Sequence, residues 1–412
     1  MKRKLLFILL VLCAFLFNLA LYKTSLNTLI NDYYKNVIIL IGINIILATS
    51  LNLINGFTGQ FSLGHAGFMA VGGYVSISLA TYFRPLFIKL FGDSPVGDII
   101  SFCILLIIAG ISAAIVGVFV GIPSFRLKGD YLAIITLGFS EIIRVVIQGL
   151  DIVGGPQGFS VVYIYENGQK ALQSITGLEE VPFTVYQVPK FTNFFWTYFF
   201  VILIIFIIVN LVKSTYGKGF IAVKDDEIAA EGMGINTTKY KIIAFVTGAF
   251  FAGIAGSLLG HHTQTLIPED FNFLRSVEIV VMVILGGMGN IPGVVIAAIL
   301  LSILPELLRN PQISIIIIFS LPYLLFIYKF YGKYKEKYSL FIISLITLLT
   351  SGVFVLAIYI LMPIMIANIP NISTLRMIIY ALLLIIMMAN RPQGLFGTKF
   401  SITPLKKIIS KA

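Results

Sequence analysis

Apolar runs long enough to cross a lipid bilayer recur along most of this sequence. They cover 5–22, 37–54, 66–83, 99–122, 131–148, 191–212, 241–262, 338–362 and 374–390, with a shorter run at 314–328. About 20 apolar residues let a helix span the hydrocarbon core. In that solvent every backbone N–H and C=O must be satisfied inside the protein, so runs of this length are expected as helices. Charged residues are 11% of the chain and hydrophobic residues 58%, against about 25% charged in an ordinary soluble domain. A soluble enzyme, a disordered chain and a disulfide scaffold are therefore excluded. The two cysteines, Cys13 and Cys103, lie inside apolar runs with no CxxC spacing, which argues against a disulfide framework. The apolar stretch after Met1-Lys2-Arg3-Lys4 lacks a small-x-small cleavage site and is expected to be a retained first helix.

The run 277–308 is too long for one straight span. Gly286-Gly287-Met288-Gly289-Asn290-Ile291-Pro292-Gly293 interrupts it, so we expect two helices, 277–287 and 291–308. Such breaks persist in membranes only where protein or a cavity covers the freed backbone. A second glycine-rich stretch, with Gly56, Gly59, Gly64, Gly67, Gly72 and Gly73, points to another break near 55–67 or to close packing of helices.

Counting basic residues orients the chain. With Lys2, Arg3 and Lys4 cytoplasmic, the cytoplasmic segments hold three at the N-terminus, two at 123–130, five at 213–241, four at 329–337 and five in the tail. That is 19 of the 29 Lys and Arg. A net charge of +11 thus reads as basic cytoplasmic loops, not as a nucleic-acid footprint. The expectation is an all-α polytopic membrane protein with about 11 transmembrane helices and both termini cytoplasmic. Its single transmembrane domain, 1–412, would carry an external loop at 149–190 and a cytoplasmic loop at 213–240.

The cytoplasmic loop is the most informative polar stretch. Asp225, Asp226 and Glu227 fit the first turn of a short helix, where the dipole favours acids. Ile228, Ala229, Ala230 and Met233 form a helix face with small residues, Glu231 lies between them, and Gly234 fits the left-handed residue that ends it. Such a helix either sits in a groove on another protein or is an ordinary loop helix, and the residues alone leave both open. Within 131–148, Glu141 and Arg144 are three apart and are expected to form a structural ion pair. His261-His262 has no further ligand at metal spacing and is expected to be an interfacial pair. Tyr216-Gly217-Lys218-Gly219 lacks the rest of a P-loop, and no acid–base or nucleophile set appears, so the chain is not expected to be an enzyme.

Five blocks resemble, in order, the branched-chain amino acid permeases of the LivM type, which belong to ATP-binding-cassette importers. They are Leu51 to Phe68, Phe125 to Arg144, Ala222 to Asn236, Val280 to Asn290 with Pro305 to Arg309, and Arg391 to Gly397. The resemblance implies a coupling loop for an ATPase, carried by Asp226, Glu227, Ala229, Ala230, Glu231 and Gly234. It also implies a translocation path near Gly59, Gln60, Ser62, Gly64, His65, Gly286, Gly287 and Gly289. His65 is expected to pack or hydrogen-bond first and to line the path second. The implied partners are a second homologous permease, two cytoplasmic ATPase subunits that hold ATP and magnesium, an extracytoplasmic solute-binding protein and the lipid of a bacterial inner membrane. No cofactor, metal or nucleic acid is implied for this chain. The chain departs from the family pattern at 310–375, which is expected to be a two-helix insertion. A permease for urea, an amide, a sugar or a nucleoside is the nearest alternative, and an ion-coupled secondary transporter the next.

Overall fold

The computed structural model describes residues 31–92, 94–124, 130–161 and 188–307, with isolated positions within 9–18 and at 382, 385 and 394. The expected helices at 314–328 and 338–362, the insertion 310–375, most of 5–22 and 374–390, and residues 162–187 of the expected external loop lie outside the described residues. The chain divides into two compact units, 1–299 with 393–412, and 300–392. Of the second, residues 300–307 form the end of one helix.

The first unit is a helical bundle. Helix α1, Asp32–Asn52, runs directly into a π-helical turn, Leu53–Phe57. The non-helical stretch Thr58–Gly64 follows, then α2, His65–Tyr82, and α3, Arg84–Phe91. The long helices α4, Pro95–Ser124, and α5, Asp130–Gln148, come next. After them come α6, Phe194–Lys213; α7, Thr215–Asp225; α8, Glu227–Gly232; and α9, Thr237–Thr263. The last two are α10, Phe273–Gly286, and α11, Ile291–Leu307. Five of these elements are long and apolar enough to cross a membrane, or six if α2 and α3, bent by 68°, count as one span. The chain is thus a polytopic α-helical membrane protein. The bend was not legible in the sequence. Pro85 opens α3, and buried Arg84 pairs with Asp98 at 2.7 Å.

The bundle has a centre and a lipid side. Of the most apolar window in each helix, 83% is buried for α1 and 67% for α9, but 28% for α5 and α6. Helix α4 shows why: Ile107, Ile111, Ile115 and Phe119, four apart, form one exposed apolar stripe, which in a bilayer meets lipid. The α2–α9 contact is built from small residues. A Cβ on Gly73 would lie 3.0 Å from the Gly256 carbonyl, and Ser76 and Ser257 hydroxyls meet at 2.6 Å. Small residues let membrane helices approach and hydrogen-bond without a water-driven hydrophobic force.

Helix α9 joins the 213–240 loop at one end to a two-stranded antiparallel ribbon at the other. In that ribbon β1, Phe159–Ser160, pairs with β2, Thr265–Leu266. The Tyr74 hydroxyl donates to the Leu266 carbonyl at 2.9 Å, and the Tyr82 hydroxyl donates to the Ile152 carbonyl, anchoring this end to α2.

Candidate functional site

The 213–240 loop is two short helices, not one. Ser214 caps α7 by accepting from the Tyr216 N–H at 3.2 Å. One face of α7 is buried: Phe220 is wholly enclosed, and a Cβ on Gly219 would strike the Tyr240 ring. Asp225 ends α7 instead of opening the next helix. Asp226 does both jobs. It closes α7 through its N–H to the Ala222 carbonyl, and its carboxylate accepts from the Ile228 and Ala229 N–H groups at 2.9 and 3.1 Å. Such an N-cap satisfies donors that the first turn leaves orphaned.

Helix α8 is then tied down on three sides. Glu227 pairs with Lys241 at 2.5 Å, and Glu231 accepts from the Thr237 hydroxyl at 2.6 Å. Gly234 stands at φ +80 while the Ile235 N–H reaches the Ala230 carbonyl at 3.0 Å. That is the left-handed helix stop for which glycine has no Cβ penalty. Ala230 is buried, so it packs α8 against the bundle and is not part of an outward small-residue face. The outward face is Ile228, 75% exposed, Met233, 83% exposed, and Ala229. Sequence periodicity could not separate these, because a six-residue helix has too few turns to show which side is covered.

The first break is buried at Thr58, Gln60, Ser62 and Gly64, exposed at Gly59, and hydrogen-bonded through side chains. The Asn55 amide brackets Ser62, with its oxygen accepting from the Ser62 N–H at 3.2 Å and its nitrogen donating to the Ser62 carbonyl at 3.4 Å. The Leu63 N–H donates to the Thr136 hydroxyl at 3.0 Å, and the Ala66 N–H to the Ser276 hydroxyl at 3.2 Å. Gly64 lies against Thr136, whose carbonyl is 2.5 Å from where a Cβ would stand. His65 is fully buried, its Nε2 2.8 Å from the Ser50 hydroxyl. Ser50 lies ahead of the π-helical turn in α1, so the chain doubles back before α2 begins. Gln60 is buried with neither amide atom paired among the described residues.

The second break is shorter. The Asn290 N–H reaches the Gly287 carbonyl at 3.0 Å, closing a four-residue turn. Gly287 and Gly289 stand at φ +95 and +86, which only glycine adopts without strain. Gly286 is buried where α10 turns back on α11. The Gly289 N–H donates to the Asn52 side-chain oxygen at 2.8 Å. Buried Gly394, within the Arg391 to Gly397 block, lies against the Gly287 N–H. The structure thus brings Gly59 and Gly289 to one junction, where Lys224 of α7 donates to the Gly56 carbonyl at 2.7 Å. Sequence reasoning missed Lys224, Asn52, Asn55 and Thr136. Nothing in the order of residues shows that a loop lysine reaches a helix end 168 positions away.

At the opposite end Glu141 and Arg144 meet at 2.8 Å, and Arg144 also reaches Glu269 at 2.8 Å. Arg275 bridges Glu278 at 3.0 Å and the Asn44 side-chain oxygen at 2.8 Å. Glu269, Asp270, Arg275 and Glu278 border a mixed-charge cavity of about 390 Å³. Burial, with Glu269 adding to it, pushes the Asp270 carboxyl above its usual value against the opposing pull of Arg275. His261 is buried with Nε2 3.0 Å from the Ser76 hydroxyl, a helix-packing contact rather than an interfacial one. No group of three possible metal ligands occurs among the described residues.

Comparison with known proteins places these features. A family model described as "Branched-chain amino acid transport system / permease component" matches residues 33–320. The high-affinity branched-chain amino acid transport system permease protein LivM of Escherichia coli (strain K12) is 34% identical over 285 residues, 65% of this chain and 62% of that protein. The probable branched-chain amino acid transport permease protein LivM of Methanocaldococcus jannaschii is 26% identical over 313 residues, 71% of this chain and 86% of that protein. The permease protein LivH of the same Escherichia coli system is 34% identical over 101 residues, 24% of this chain and 32% of that one. The chain spans about six-tenths of the length of the bacterial LivM relative, 62%. No solved structure matches. The family match runs through both helix breaks and the capped α7–α8 loop, and the chain belongs to the family of permease components of branched-chain amino acid transport systems.

Proposed function

We propose that this chain is the permease subunit of an ATP-binding-cassette importer that moves branched-chain amino acids across a bacterial plasma membrane by alternating access. One observation carries the reading: α8 is fixed to the bundle by Asp226, Glu227 and Glu231 while presenting Ile228, Ala229 and Met233 outward. A rigid apolar knob on an otherwise polar loop is a docking element, since such side chains gain by leaving water. The partner is a cytoplasmic ATPase, which supplies ATP and magnesium. A second homologous permease completes the membrane path, and an extracytoplasmic binding protein delivers the solute.

The expected topology, about 11 spans with both termini cytoplasmic, puts the 213–240 loop on the ATPase side. Irregular backbone at membrane depth belongs beside a cavity, so the stretches around Gly59 to His65 and Gly286 to Gly289 border the path. Gln60, buried with its amide unpaired among the described residues, offers a polar contact to the charged groups of an amino acid.

The test is co-expression with ATPase subunits and a second permease of a branched-chain amino acid importer, followed by purification and uptake of labelled leucine. Wild-type chain should bring down ATPase and take up leucine in an ATP-dependent way. Replacing both Ile228 and Met233 with Asp should remove the ATPase and uptake while leaving the chain folded in the membrane. ATPase retention by that variant would overturn the docking assignment, and uptake driven by an ion gradient at constant ATP would overturn the importer reading.

A further inference from the structure

We infer that Lys224 is the positioning residue through which the α7–α8 loop sets both helix breaks. This rests on the importer reading and names the link between its docking face and its path. Lys224 is the penultimate residue of α7, two before the Asp226 cap shared with α8. Its ammonium donates to the carbonyl of Gly56 at 2.7 Å, in the π-helical turn that ends α1. Its stem packs on Gly59, whose Cβ would stand 3.2 Å from the Lys224 Cγ.

The last carbonyls of the continuous run formed by α1 and its π-helical turn, Gly56 among them, lack partners further along the helix, and the helix dipole makes that end negative. An ammonium there satisfies an orphan acceptor and the field at once, with the added strength of a charged donor. No ion pair competes for Lys224 among the described residues. The same spot holds the second break: a Cβ on Gly289 would lie 3.2 Å from the Gly56 carbonyl oxygen and 3.6 Å from the Lys224 ammonium. Asn52, one turn before Gly56, accepts from the Gly289 N–H. Lys224, Gly56, Asn52 and Gly289 therefore make one junction between loop, first break and second break. An apolar cavity of about 590 Å³ beside it, lined by Phe57, Val209, Val212, Gly289 and Pro292 among others, leaves room for the breaks to shift.

Because Asp226 caps both short helices, a force on α8 moves the end of α7 and pulls or releases the Gly56 carbonyl. A two-state element biased from both sides is what coupling between sites requires.

The experiment uses the assembled transporter in liposomes, with Cys13 and Cys103 replaced by Ser and a reporter Phe61→Cys in the first break. Lys224→Met should leave ATPase subunits bound and hydrolysing. Leucine transported per ATP should fall about tenfold, the scale of one charge-assisted hydrogen bond. The change in maleimide labelling of the reporter on adding ATP with vanadate should disappear, and Lys224→Arg should restore it. Normal transport per ATP in Lys224→Met, or an intact labelling change, would overturn the inference while leaving the importer reading in place. Failure of the parent chain to assemble with ATPase would overturn the importer reading, and this inference with it.

Discussion

The two helix breaks look alike in sequence and differ in construction. Thr58–Gly64 is a mostly buried excursion whose backbone groups are met by side chains from two other places, Asn55 and Thr136. Gly287–Asn290 is a tight turn that closes on its own backbone and is held to the first by one carboxamide, Asn52. Glycine serves contact in the first, where Gly64 faces a carbonyl of α5, and conformation in the second, where Gly287 and Gly289 take positive φ. The first break should therefore fail through added bulk, and the second through loss of one acceptor or one backbone state.

The largest effect expected is at Gly64. Gly64→Val places methyl groups where the Thr136 carbonyl already lies, and overpacking of that kind costs about 3 kcal/mol. A clear fall in the thermal unfolding midpoint in detergent, with loss of leucine uptake, is the result. An unchanged midpoint would mean the first break is looser than its contacts imply.

Next is Asn52→Leu. It removes the acceptor of the Gly289 N–H and leaves that donor without a partner, a cost of about 2 kcal/mol. Gly289→Ala should cost about 1–2 kcal/mol through its φ. Unfolding midpoints of both single variants and the double variant make a cycle. Strict additivity would break the claim that the two breaks share a junction, since contacting residues couple by about 0.5 kcal/mol or more.

Thr136→Val removes one hydroxyl from the first break and should cost about 1 kcal/mol. Its effect should be additive with Gly289→Ala, because Thr136 touches the first break alone. A coupled response in the measured midpoints would merge two devices that the geometry separates. The smallest effect belongs to Arg144→Gln at the opposite end. Arg144 is partly exposed and Glu269 more so, so the change should be under about 1 kcal/mol, the range of surface pairs. A large loss of uptake with a normal midpoint would move that charge cluster from scaffold to path.

Much of the membrane framework was legible in the order of residues. The runs 131–148 and 241–262 agree closely with α5 and α9, and the expected cut of 277–308 falls where Gly287 leaves the helix. Hydrocarbon allows an apolar run of that length little besides a helix, so length and composition suffice. The loop was half legible. Gly234 carries its own stop signal, but the boundary between α7 and α8 depends on Asp226, at φ −158, taking the extended cap backbone, and the run Asp225-Asp226-Glu227 does not say which acid takes it.

The sequence by itself determined that this chain is a helical membrane protein, where two of its helices break, and to which permease family it resembles. Those properties are local: each is written in one stretch of apolar, glycine or acidic residues. Only the tertiary structure decided that Ala230 faces inward while Ile228 and Met233 face out. It also decided that His65 meets Ser50, and that Lys224 closes a junction of Gly56, Asn52 and Gly289. The reason is physical. A hydrogen bond or an ion pair is made by a distance of about 3 Å, and residues far apart in the chain reach that distance only once the helices have packed.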